Sequence, residues 1–129
     1  MTALLLQRSP LARFLGVEVH DGVNRVYSLP DRDELVGNFL LPALHGGAIA
    51  AFIELCCAAE LAAIAGISIP PRPISINLQY LSGAKRAVTF STPVVRRVGR
   101  RIAVVHGEAW QDHPGKIVCA AQCEFKIGS

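Results

Sequence analysis

One carboxylate stands inside the most apolar stretch of the chain. Between Gly46 and about Ala65 the only charges are Glu54 and Glu60, and Ala48, Ile49, Ala50, Ala51, Phe52, Ile53, Leu55 and Ala58 surround the predicted helix on nearly every side. Burying a carboxylate without a partner costs several kcal/mol or raises its pKa, so Glu54 needs a physical reason to be there. Its helical neighbours at three and four positions, Ala50, Ala51, Cys57 and Ala58, are small and leave room for a reacting group. Two explanations stand at this point: a carboxylate that handles protons or attacks an electrophile, and one at a wet sheet edge paired with an arginine.

The same helix begins with His45, Gly46 and Gly47. Two residues without side chains leave the backbone N–H groups of a first turn open to an anion or a developing oxyanion. The plainer alternative is a glycine-assisted turn with His45 beside the cap. Along a helix His45 and Glu54 lie ~13 Å apart on nearly opposite faces, so they cannot serve one reacting atom within one subunit. If both are catalytic, the site joins the helix start of one subunit to Glu54 of another, and a two-fold dimer holds two such sites. A second charged feature is Arg96, Arg97, Arg100 and Arg101 around a predicted hairpin tip, with Lys85 and Arg86 at the preceding turn. These suit a phosphorylated carrier, although solvated charges at turns are also ordinary.

The elements that must hold these residues can be laid out from the pattern. A short N-terminal helix over residues 3–15 breaks near Ser9 and Pro10. Two β-prone pieces flank Asp21 and Gly22, followed by a loop from Pro30 to about Leu44. The helix from Gly46 ends at Gly66 and the Pro70-Pro71 pair, and is too short of uninterrupted apolar residues for a membrane span. Residues 73–82, 86–97, 100–111 and 116–127 then read as an antiparallel meander with a tight hairpin at Val98-Gly99. Alternation puts Ile74, Ile76, Leu78 and Tyr80 on one buried face, and likewise Ile117, Cys119, Ala121, Cys123, Phe125 and Ile127. Ser75, Asn77, Gln79, Gln122, Glu124 and Lys126 face the other way. One sheet face and a helix apolar all round must bury each other, which predicts an α+β fold with a curved sheet around one long helix, a single domain over residues 1–129.

With 129 residues, 51% hydrophobic and 18% charged, the chain supports one core and has little polar surface to spare, which favours self-association. A net charge of +3 without basic runs among aromatics argues against nucleic acid. The Leu4–Leu6 triplet is interrupted by Arg8 and Pro10 before a signal-peptide core could form, so the expected location is cytoplasmic, off the membrane. Cys56, Cys57, Cys119 and Cys123 are expected as reduced core thiols. A zinc set from Cys119, Cys123, His106 and His113 is not expected, because there is no Cys-x-x-Cys pair and alternation turns both cysteines inward.

Gly37-Asn38, LHGGAIAAFIE from Leu44 to Glu54, INLQYLSGAK from Ile76 to Lys85 and the RRVGRR hairpin together resemble the hotdog-fold acyl-CoA thioesterases, in their PaaI-like branch, over about residues 15–127. The resemblance implies a hotdog fold and hydrolysis of an acyl-CoA thioester. Glu54 would activate water or attack directly, the Gly46 amide would polarise the thioester carbonyl, and His45 would shape the turn. Asn38 is the counterpart of an asparagine that places water or carbonyl in relatives, though it stands one position further from the histidine. Where some relatives have a Ser or Thr at the start of the next strand, this chain has Pro73 and then Ser75. Coenzyme A, part of the substrate and not a resident cofactor, would lie near Ser82, Gly99, Arg100 and Arg101. The implied assembly is a homodimer or a dimer of dimers. A non-catalytic acyl-CoA or acyl-carrier binding module is the main rival, followed by a hotdog dehydratase.

Overall fold

The break expected at Ser9 and Pro10 is present in the computed structural model, which describes residues 2–38, 43–44 and 46–128. Helix α1 (Thr2–Arg8) stops at Ser9, whose hydroxyl accepts the Ala12 N–H at 3.1 Å and caps α2 (Pro10–Leu15). Gly16, at φ 78°, closes α2 in the left-handed conformation that glycine tolerates best. The two β-prone pieces about Asp21 and Gly22 are strands β1 (Glu18–His20) and β2 (Val26–Leu29), paired as an antiparallel hairpin with Val19 opposite Tyr27. The stretch from Pro30 to Leu44, expected to be only loop, contains a 3-10 turn (Asp33–Leu35) and a small ladder of β3 (Val36–Asn38) with β4 (Ala43–Leu44). Elements of two or three residues are too short to leave a period in the sequence.

Helix α3 (Gly46–Ala65) is followed by β5 (Arg72–Tyr80), β6 (Thr89–Ser91), β7 (Val94–Val98), β8 (Ile102–Trp110) and β9 (Ile117–Lys126). The predicted run 86–97 is thus two strands along one edge of β8, separated at Thr92-Pro93, where proline has no N–H for the ladder. The seven-stranded antiparallel sheet runs β1-β2-β6-β8-β9-β5, with β7 also on β8. At the β7–β8 turn the Gly99 N–H reaches the Ile102 carbonyl at 2.9 Å, and a Cβ on Gly99 would lie 2.8 Å from that oxygen. Gly107 performs the corresponding service in the core. A Cβ there would come within 2.8 Å of Cys57 Sγ and 2.9 Å of Ile53, so glycine lets α3 press directly onto β8.

Phe52, Ile53, Cys56, Cys57 and Leu61 on α3 are fully buried against Ala103, Val105, Cys119 and Phe125 of the sheet. Full burial of a large aliphatic or aromatic side chain stabilises by about 1.5–3 kcal/mol, so this layer carries much of the core. By length and a mean hydropathy of 2.0, α3 could cross a membrane, contrary to the expectation that it is too short; its packing on the sheet is what makes it a core helix. The β9 alternation is as expected at Cys119, Cys123 and Phe125, while Ile117 and Ile127 at the strand ends are only partly covered. Strand β5 departs from expectation. Ile74, Ile76 and Tyr80 are 55%, 36% and 54% exposed, and Ile74 sits in a bulge between Pro73 and Ser75. Of the expected set only Leu78 is partly buried and packs against the core; β5 is an edge strand, and its other apolar side chains lie exposed.

Candidate active site

The two carboxylates of α3 have different surroundings. Glu60 is buried and accepts Arg25 Nε at 2.9 Å and Nη2 at 3.0 Å in a two-pronged ion pair, and the Tyr27 hydroxyl at 3.0 Å. Burial first, and then the Glu60 charge, push the Tyr27 hydroxyl far above its ordinary pKa and keep it a donor. This cluster ties β2 to α3. Glu54 is half-buried and, among the described residues, has no hydrogen-bond or ion-pair partner. The arginine pairing weighed for Glu54 belongs to Glu60.

Glu54 lines a cavity of about 380 Å³. Leu55 and Ala58 of α3 continue its floor, Leu5, Arg8 and Ser9 close one side, and Ile67, Pro70, Pro71, Pro73 and Phe125 form the rest of the wall with Ser68. Sequence reasoning missed the N-terminal helix and the proline loop as parts of this site. The cue was Pro70-Pro71-x-Pro73, which places residues without N–H groups side by side.

Gly46 opens α3, about 12 Å along the helix axis from Glu54, so the structure does not bring the two together within one protomer. The Tyr80 hydroxyl donates to the Gly46 carbonyl at 2.7 Å, fixing the helix start to the C-terminal end of β5. That contact was also missed. His45 lies outside the described residues; Asn38 ends β3 opposite Ala43, and its side chain lies outside them too.

The residues expected around coenzyme A are likewise divided. Gly99, Arg100 and Arg101 line a surface groove of about 450 Å³ with Arg97, and among the described residues none of these arginines forms an ion pair. Ser82 lies at the other end of the sheet, its N–H 3.3 Å from the Val118 carbonyl, whereas Arg101 accepts from Ile127. Across nine residues of strand the two places are ~30 Å apart. Pairing of Ile102 and Arg72 with Lys126 puts the arginine hairpin at the end of β5 that also holds Pro73 and the Glu54 cavity.

The four cysteines are free and buried. Burial pushes the Cys56 thiol well up, and a hydrogen bond with Cys123 together with burial does the same for Cys57, which favours the neutral thiol. His106 pairs with Gln122 on the outer sheet face, opposite the inward Cys119 and Cys123, so the weighed zinc set does not converge.

A model of the thioesterase superfamily matches residues 41–118. No curated protein sequence matches the chain. Among solved structures, a Chromobacterium violaceum protein is 27% identical, with 99% of this chain and 90% of that one covered and a TM-score of 0.76. A phenylacetic acid degradation-related protein of Ralstonia eutropha is 21% identical over 98% of both chains, TM-score 0.81. A Staphylococcus aureus thioesterase, in a mutant form, is 20% identical, with 94% of this chain and 100% of that one covered and a TM-score of 0.79. The sheet wrapped on α3 is the hotdog fold, as expected from the sequence. Thioester hydrolysis is the general chemistry these matches support.

Proposed function

From the premise that the chain belongs to the thioesterase superfamily, we propose that it hydrolyses acyl-CoA thioesters, with Glu54 as general base or nucleophile. The observation that carries this reading is the Glu54 carboxylate, without a hydrogen-bond or ion-pair partner among the described residues, in a mostly apolar cavity on the central helix. In the general-base form, Glu54 takes a proton from water as the oxygen attacks the thioester carbonyl. The negative charge that develops on the carbonyl oxygen needs an amide donor, and the Gly46 N–H at a helix start is suited to it. Collapse then breaks the C–S bond, and the proton held by Glu54 passes to the departing thiolate.

A second subunit supplies that amide. The bare edge and apolar inner face of β5 suit antiparallel pairing with the β5 of another copy. Tyr80 holds the helix start at one end of β5, and the Glu54 cavity lies at the other, beside Pro73. Antiparallel pairing of two β5 strands therefore brings the partner subunit's Gly46 toward Glu54. The same operation brings the partner subunit's Ser82 to the end that carries Arg100 and Arg101, reuniting the residues proposed for coenzyme A. Arginines that form no ion pair among the described residues suit its phosphates.

Thiol release from decanoyl-CoA and from the decanoyl thioester of N-acetylcysteamine, which lacks the nucleotide, tests this reading. We expect turnover of both, with kcat/KM at least tenfold higher for the CoA ester. Equal values would remove the CoA assignment, and binding without hydrolysis would replace the enzyme with a binding module.

A further inference from the structure

We propose that the Glu54 cavity holds the acyl chain, that its occupant is a straight aliphatic chain of medium length, and that Ala58 and Leu5 set that length; this rests on the thioesterase reading above. Ala58 lies one helical turn beyond Glu54 on the same face, so a chain whose carbonyl is at Glu54 runs across Ala58 into the cavity. Leu5 on α1 stands among the side chains that close it. Apart from Arg8, Ser9 and Ser68 the wall is apolar, for a backbone reason as well as a side-chain one. Pro70, Pro71 and Pro73 bring no N–H groups, so that side offers a polar acyl group few donors. Among the described residues Phe125 is the only aromatic ring in the lining, which leaves little for an aryl group to stack on. An apolar cavity of ~150 Å³ accommodates benzene. By that scale about 380 Å³ has room for about fifteen carbons, and with the open mouth and the thioester group taking a share it leaves space for a chain of about eight to twelve.

The test is a series of saturated acyl-CoA esters from acetyl to hexadecanoyl, with phenylacetyl-CoA beside it. For wild type, kcat/KM should rise by up to about fourfold per methylene and fall again beyond about twelve carbons. Ala58→Phe, which fills the floor, should lower the decanoyl-to-butyryl ratio of kcat/KM at least tenfold. Leu5→Ala, which opens the wall, should move the optimum two or more carbons longer. Opposite shifts from the two substitutions support a gauge, and equal losses on every ester from both would overturn it. A phenylacetyl-CoA preference of tenfold over decanoyl-CoA would also overturn it.

A binding measurement separates this inference from the hydrolase reading. S-decyl-CoA, a thioether that cannot be hydrolysed, should bind wild type at least thirtyfold tighter than coenzyme A, and Ala58→Phe should erase most of that difference. Equal affinity for the two ligands would sink the acyl pocket, whatever the enzyme does to thioesters. Tight, Ala58-sensitive binding without any thioester turnover would keep the pocket and discard the hydrolase.

Discussion

Glu54 and Glu60 occupy one helix, six residues apart, and have opposite circumstances. Glu60 accepts three hydrogen bonds from Arg25 and Tyr27 and is held in one place. Glu54 faces a cavity with no such partner among the described residues. A carboxylate whose acceptors are occupied ties elements together, while one left open remains available for a proton or an electrophile. Both interrupt the same apolar pattern, so the difference lies entirely in what the rest of the fold brings to each.

Breaking the comparison on the Glu60 side should have the largest effect. Arg25→Met leaves a buried carboxylate without its cation and should cost about 3 kcal/mol, less than a fully buried pair because Arg25 is partly exposed. Urea unfolding gives the value, with kcat/KM of the folded protein changing no more than about threefold. On the Glu54 side, Ala50→Arg places a guanidinium four residues away and gives Glu54 the kind of partner Glu60 has. Initial rates on decanoyl-CoA should fall about thirtyfold, and Ala50→Gln, of similar reach without the charge, should fall less.

Smaller effects sharpen the picture around the site. Replacing Arg100 and Arg101 together with Ala should raise KM about tenfold with little change in kcat, and should flatten the dependence of KM on salt. Tyr80→Phe removes the hydrogen bond to the Gly46 carbonyl and should lower kcat about fivefold, the scale of one such bond. An unchanged kcat would mean that the helix start is fixed by other contacts.

The long elements were legible in the sequence because their periods are long. Twenty residues of apolar helix between Gly46 and Ala65, and ten alternating residues in β9, leave few other structures for those segments. The β3–β4 ladder was too short to register, and the bare face of β5 could not be seen because alternation reports which residues share a face and not what covers it. Glu54 was visible as a misfit in its own helix. Its lack of a partner among the described residues was not, since Arg25, 29 positions upstream, is directed to Glu60 by the packing of β2. The cavity wall likewise joins Leu5, Pro70 and Phe125, residues whose proximity exists only after folding.

The most direct test of the central claim is thiol release from one acyl-CoA ester by wild type, Glu54→Gln and Glu60→Gln, each with its thermal midpoint. The account predicts that Glu54→Gln loses at least about a hundredfold in kcat/KM with its midpoint within a few degrees of wild type, while Glu60→Gln loses stability and keeps its activity when folded. Activity retained in Glu54→Gln, or lost only as the fold is lost, would contradict it.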